Sequence, residues 1–239
     1  MKKQSIRTFV ACALFASGIG STAYAAPSWN AANDFNASTN PSGAWSYGWT
    51  STLGGAFTAF SINGAGYGVD QWWGANGSVV FHNPTSGALS PWGTIYAEPG
   101  ALAAHPGSQG ELAVVRWTAQ SSGSYTVNAG FYGISQSGQT TTTDVHVLKN
   151  GVSSFDGLVE GHWANEKVRV GPSVLNFSLN AGDNVDFVVG YGSNGNYYCD
   201  STRLDATSTA VPEPETYAML LAGLGLVGAI ARRRKGAQA

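Results

Sequence analysis

The amino-acid sequence predicts an all-β fold in which two antiparallel sheets pack as a β-sandwich or jelly roll. Three observations carry this. Apolar residues recur at every second position through much of the middle of the chain, the period of a half-buried strand. Clusters of Gly, Asn and Ser interrupt those runs at short intervals. Between residues 26 and 211 almost nothing repeats at helical spacing, which argues against a parallel α/β arrangement.

The elements follow in chain order. Residues 45–51, 56–62 and 78–82 are predicted strands in a Gly- and Trp-rich region, and 87–110, with Pro91, Pro99 and Pro106, reads mostly as loop. In 111–118, Leu112, Val114 and Arg116 alternate with Ala113, Val115 and Trp117. After a turn at 121–124, Tyr125, Val127, Ala129 and Phe131 alternate with polar and small residues, so the two runs are expected to form a hairpin. Residues 144–148 lead through Lys149-Asn150-Gly151 into a return strand at 152–155. Asn-Gly suits a type I′ turn because both residues tolerate positive φ. In 174–179, Leu175, Phe177 and Leu179 face inward. Residues 180–183 turn the chain, Val185, Phe187 and Val189 line the next strand, and 203–207 closes the sheet.

Both ends of the chain read as address labels. Residues 1–25 have the form of a cleavable signal peptide. Lys2, Lys3 and Arg7 make a basic start, 9–19 is mostly apolar, and Ala23-Tyr24-Ala25 is a small-x-small cleavage site. At the other end, 211–215 is a proline break, 216–231 carries no charge, and Arg232, Arg233, Arg234 and Lys235 form a basic stop. The uncharged run is expected to be a short transmembrane helix with its basic end in the cytoplasm. The ectodomain between the labels is 26–210.

The order of proline break, small apolar helix and arginine cluster resembles the PEP-CTERM sorting signal. That resemblance implies Pro212, Glu213 and Pro214 as a recognition motif for an exosortase, a membrane enzyme that processes the tail. It also implies a bacterial source that makes exopolysaccharide, and a protein exported to the envelope or outer surface, transiently anchored in the inner membrane. Gly223, Gly225 and Gly228 match a dinucleotide-binding pattern by letters only, since no strand precedes them. A second resemblance covers about a hundred residues, on Val114-Val-Arg-Trp-Thr-Ala, Gly123-Ser-Tyr-Thr-Val, Asp144-Val-His-Val-Leu-Lys-Asn-Gly and Leu179-Asn-Ala-Gly-Asp. These runs are similar to non-catalytic jelly-roll domains of bacterial envelope proteins that occur beside carbohydrate-active modules.

Charge excludes one class of partner. Residues 26–211 hold five basic and twelve acidic side chains, a formal balance of −7. Such a surface lacks the cationic footprint that nucleic acid requires. Cys12 falls in the signal peptide. Cys199 is then the one cysteine of the mature protein, so it has no intramolecular disulfide partner and reads as a buried small hydrophobe.

Candidate chemistry is sparse. No Gly-x-Ser-x-Gly elbow is present. Asp156, Glu160 and Glu166, near His162 and Trp163, are the carboxylates nearest in sequence to a glycosidase pair, which would have to face each other across a cleft. His82, His105 and His146 are isolated, with His146 expected on an exposed strand face. Asp34, Asp200 and Asp205 are candidate calcium ligands, because pairing of the first and last strands would bring Asp34 toward Asp200. The eight tryptophans offer more. Trp117 is expected in the core. Trp72 and Trp73 are adjacent in a strand and must point to opposite faces. Trp92 and Trp163 lie in loops, and Tyr197 follows Asn194-Gly-Asn. Trp72, Trp73, Trp92, Trp163 and Tyr197 are therefore the candidate glycan-binding residues. The expected role is a non-enzymatic surface or matrix protein that associates with exopolysaccharide. The alternatives are a biofilm scaffold that binds no glycan and, third, a hydrolase of envelope polymers.

Overall fold

The computed structural model describes residues 26–136, 138, 140–162, 168–212 and 214–236. The signal-peptide expectation at 1–25 and the candidate residues Trp163, Glu166 and Glu213 lie outside the described residues. The strands are β1 (Ser28–Asn30), β2 (Trp45–Thr50), β3 (Thr58–Ala59), β4 (Ile62–Gly66), β5 (Val69–Trp73), β6 (Val79–His82), β7 (Leu102–His105), β8 (Leu112–Thr118), β9 (Gly123–Gly133), β10 (Thr141–Lys149), β11 (Val152–Gly161), β12 (Leu175–Leu179), β13 (Asn184–Val189) and β14 (Thr202–Val211), followed by one helix, α1 (Pro214–Gly236).

Two antiparallel sheets result, as the alternation predicts. One has the order β12-β9-β14-β7-β6-β5-β4, with β1 also pairing β14, and the other the order β11-β10-β13-β8-β2-β3. Between them lies the main core, where Trp45, Tyr47, Trp117, Tyr125, Phe131 and Phe187 are fully or almost fully buried. Trp29, Trp117 and Tyr125 form an aromatic cluster with centroids 5.1–6.2 Å apart. Such clusters add to the area they bury.

The pairings differ from the expected ones in one systematic way. Residues 111–118 and 125–131 are strands, but they do not form a hairpin. β8 pairs β2 and β13 in one sheet, while β9 pairs β12 and β14 in the other. The turn at 121–124 is an arch over the core. The turn at 180–183 likewise carries the chain from β12 in one sheet to β13 in the other. A short polar turn fits either a hairpin or an arch, and alternation alone does not distinguish them. At 149–151 the hairpin is as expected, with Asn150 at φ 50° and Gly151 at φ 79°. Its return strand runs on to Gly161. The proline-rich stretch 87–110 contains β7, and 56–62 divides between the two-residue β3 and the start of β4.

Each sheet also carries a small apolar cluster on its outer face. On the sheet containing β14, Val69, Val79, Phe81 and Ala103 are covered by Ile95, Ala97 and Ile134 from overlying segments. On the other, Phe57 covers Leu112, Val114, Leu148 and Val188. Beside Phe57, the facing residues Arg116 and Asp186 form a bidentate pair, Nε–Oδ1 2.6 Å and Nη2–Oδ2 2.8 Å, with the guanidinium 4.2 Å from the Phe57 ring centroid. His146 is only 9% exposed, contrary to expectation, because carboxylates close over it. Its Nε2 lies 2.8 Å from Asp144 and its Nδ1 2.5 Å from Asp156. Burial lowers the imidazole pKa, but these two hydrogen bonds outweigh burial and hold it above its ordinary value.

Beyond β14 the chain breaks at Pro212 and enters α1, whose Leu220, Leu221, Leu224 and Leu226 are exposed. A helix is observed where one is expected. However, among the described residues no helix is long and apolar enough to cross a membrane. The uncharged run 216–231 measures about 24 Å at 1.5 Å per residue, short of a hydrocarbon core of about 30 Å.

Asp186→Ala leaves Arg116 with no carboxylate while Phe57 still covers it. The expected loss is about 2–4 kcal/mol of unfolding free energy, measured by urea denaturation. The double variant with Arg116→Leu should lose less than Asp186→Ala alone.

Candidate functional site

The outer cluster on the β14 sheet opens at one end into a cleft. Strand register builds its floor. Trp73 lies opposite Val79, Val79 opposite His105, and Ser201 follows on from the Thr202–Ala104 pair, so β5, β6, β7 and the entry to β14 contribute one row of side chains. Alternation then sorts the tryptophan pair. Trp72 points into the main core, 5% exposed, with its Nε1 donating to the Asn36 carbonyl at 2.7 Å. Trp73 points outward and lines the cleft.

Two loops raise the walls. The turn Pro91–Gly93 brings Trp92, followed by Thr94 and Ile95, and the segment before β14 brings Tyr197, Tyr198 and Cys199. The enclosed volume is about 400 Å³, within the range of small-ligand sites. Tyr197 and Tyr198 stack at 4.6 Å, and Tyr197 meets His105 edge-on at 6.1 Å. Trp92 packs edge-on against Phe81 at 5.4 Å and tilts against Tyr67 at 5.3 Å. Among the described residues, the non-glycine residues at positive φ are Tyr67, Trp92, Asn150 and Cys199. Asn150 belongs to the hairpin turn. Tyr67, with Gly68 at φ 85°, likewise makes the two-residue hairpin turn between β4 and β5, whereas Trp92 and Cys199, at φ 54° and 64°, line the cleft. Each such residue costs about 1–3 kcal/mol, so the backbone is held in unfavourable conformations to present these side chains.

His105 accepts or donates a hydrogen bond with Ser201 Oγ at 3.1 Å. A serine beside a histidine invites a nucleophilic reading, but electrostatics oppose it. Burial pushes the imidazole pKa down to about 4, and the Asp200 carbonyl offsets only part of this. A base that weak does not take a serine proton at neutral pH. Under the floor, Asp200 is fully buried. Its Oδ1 accepts from the Thr142 N–H at 2.9 Å and the Thr142 hydroxyl at 3.2 Å, while Oδ2 has no hydrogen-bond partner. Burial raises its pKa to about 6 against the pull of Thr142, and Asp144 adds to the rise. Asp144 also accepts from the Gly192 N–H at 2.7 Å, which ties down the loop that carries the tyrosines.

The structure thus brings together Trp73, Trp92 and Tyr197 and leaves Trp72 in the core. The three aspartates proposed for calcium are not brought together. β1 does pair β14, but through Asn30 and Thr207, about 20 Å along the strand from Asp200. Asp34 accepts from the Asn30 N–H at 2.9 Å and Trp45 Nε1 at 3.1 Å. Asp205 lies inside β14, bridged to Arg203. Among the described residues no group of three or more His, Cys, Asp or Glu side chains is arranged to hold a metal. Asp156 is engaged by His146, and Glu160 is exposed on β11. Tyr198, His105 and Gln71 also line the cleft and were not among the candidates. Tyr198 sits beside a candidate in sequence, and His105 becomes visible only through register. Cys199, expected in the core, is partly exposed on the cleft wall.

At the far end of β14 the chain passes into the tail. There residues 210–235 match the family model of the PEP-CTERM protein-sorting motif. The chain carries a PEP-CTERM sorting motif. The motif marks an exported, envelope-sorted protein, and α1 lies within it. A comparison with curated proteins finds no match. Among solved structures, the PEP-CTERM chain is similar to a family 35 carbohydrate-binding module from Clostridium thermocellum, at 17% identity and TM-score 0.29 over 61% of this chain and 90% of that one. It is also similar to a family 51 module from Clostridium perfringens in complex with methyl-galactose, at 13% identity and TM-score 0.34 over 64% and 95%. A family 35 module from an environmental isolate matches at 15% identity and TM-score 0.30 over 70% and 98%.

Asp200 titrates with a definite sign. Its folded pKa, about 6, exceeds the ordinary value of 3.8. Its contribution to stability is therefore full below about pH 4 and is lost as pH rises through about 6. His105 runs the opposite way, losing stability as pH falls from 6.5 through about 4, so the wild-type curve mixes the two. Asp200→Asn separates them. The melting temperature of that variant minus that of wild type should rise from pH 4 to about pH 6 and level off by pH 7, and a flat difference would contradict the assignment.

Proposed function

We propose that the cleft binds a sugar, and that the chain is a non-enzymatic surface protein that associates with exopolysaccharide after an exosortase processes its tail. One observation carries the reading: Trp73, Trp92 and Tyr197, from three separate segments, line one cleft. Aromatic faces attract the C–H faces of a pyranose ring, and polar groups beside them bond its hydroxyls. Gln71, Thr94 and Ser201 supply such groups here.

The absence of catalysis is part of the same reading. Among the described residues no Asp or Glu lines the cleft, whereas glycoside hydrolysis needs two carboxylates flanking the scissile bond. The serine and histidine at the floor lack a competent base. Retention of the sugar without cleavage suits a chain whose C-terminus is a sorting tail.

Trp73→Ala should weaken binding to the producing organism's exopolysaccharide at least tenfold, measured by calorimetry on the full chain. Trp72→Ala should instead cost about 3–5 kcal/mol of stability, read by thermal unfolding. Equal losses of binding at equal stability would argue against the assignment of faces. For the tail, replacing Pro212 and Pro214 together by Ala should leave the chain at its unprocessed length in the producing cells, as read by gel mobility. Normal processing of that variant would remove the motif from the recognition step.

A further inference from the structure

This inference rests on the sugar-binding reading and names the class of sugar. We infer that the cleft selects uncharged glycans and excludes uronic acids and other anionic sugars. Among the described residues, those that line it include no Lys, Arg, Asp or Glu. The titratable side chain on its floor is His105, which burial holds neutral across the physiological range. A carboxylate that enters an apolar-walled cleft gives up its hydration, and only a facing cation or several aimed donors replace that loss.

Among the described residues, the two arginines of the β14 sheet are already committed. Arg203 lies two residues along β14 from Ser201, but its guanidinium bonds Asp205 through Nε at 3.0 Å and Nη2 at 2.8 Å, and bonds Glu98 through Nη1. Arg169 donates to the Gly171 carbonyl at 2.8 Å and to the Asn128 side chain at 2.8 Å. Both serve the β14 sheet outside the cleft. Negative charge lies beneath it instead. Cys199 and Ser201 line the cleft, and between them the buried side chain of Asp200 turns back toward Thr142, with Asp144 close by. An anionic sugar would therefore meet desolvation above and like charge below. A neutral sugar meets aromatic and aliphatic faces, a neutral imidazole, a thiol, hydroxyls and an amide. The net −7 of residues 26–211 acts in the same direction at longer range, though salt screens that part.

The test uses matched pairs that differ in charge and keep the backbone linkage. A glucan, a mannan and a galactan are each paired with their C6-oxidised uronate form. The full chain is run in affinity gels containing each polymer, at an ionic strength of about 0.15 M so that long-range repulsion is screened. The expected result is retention by the neutral member of at least one pair, at least tenfold stronger than by its oxidised partner. Equal or stronger retention by an oxidised polymer would overturn the inference and leave the sugar-binding reading intact. No retention by any of the six polymers would overturn both. The variant Thr94→Arg supplies the missing cation on the cleft wall. It should bring the oxidised member of the bound pair to within about threefold of the neutral one, and an unchanged ratio would show that charge is not the source of the discrimination.

Discussion

The pairing of β14 is the constraint on which the rest of the molecule depends. Its ten residues, Thr202–Val211, run antiparallel to β9 from Gly133 to Ser124. Its other edge is shared, with β7 along Thr202–Leu204 and β1 along Thr207–Thr209. One strand thus joins the start of the domain to its end and holds the β4–β7 half of its sheet to the β9–β12 half. Because side chains alternate along a strand, a single register decides which residues reach the core and which reach the outer face. Leu204 and Ala206 go inward, while Arg203 and Asp205 form their ion pair on the other side.

The cleft inherits that register. The row through Trp73, Val79, His105 and Ser201 exists because four neighbouring segments are in step, and a slip of one residue at β5 would exchange Trp73 for Trp72. A sheet floor alone would be flat. Depth comes from the two loops, which are held by local contacts: Trp92 against Phe81, and the tyrosine loop through the Asp144–Gly192 hydrogen bond. Two non-glycine residues at positive φ in the cleft lining, Trp92 and Cys199, fit a surface shaped for presentation, where the surrounding packing offsets local backbone cost.

Much of this was legible in the sequence, for reasons that explain what was not. Alternation reports a local property, so the sandwich, the strand cores and the Asn150-Gly151 hairpin could be read directly. Pairing is non-local, so the arch at 121–124 looked like a hairpin, and β7, short and flanked by prolines, looked like loop. The same division runs through the site. Opposite facing of Trp72 and Trp73 is a local rule and held, but which of the two faces outward was decided by the partners of β5. Trp92 and Tyr197 were recognisable as loop aromatics. That they meet across β7 required the register of β6, β7 and β14. The aspartates are kept apart for a related reason. First and last strands do pair, yet the chain turns away after Asn30, opposite Thr207, and Asp34 stays hydrogen-bonded to Asn30 rather than continuing along β14 to Asp200.

The same strand also relates the cleft to the sorting motif. Ser201, at the cleft, immediately precedes the strand, and Val211, where the tail begins, ends it. At about 3.3 Å per residue the strand sets them about 30 Å apart. The rigidity of the spacer comes from pairing on both edges, with β9 along its whole length. Whatever holds the tail at the envelope therefore holds the cleft at a defined remove from it, through one continuous hydrogen-bonded strand and no intervening linker. The proline break at Pro212 places any flexibility on the envelope side of that strand, so reorientation of the domain would leave the floor of the cleft, and the alternation that built it, unchanged.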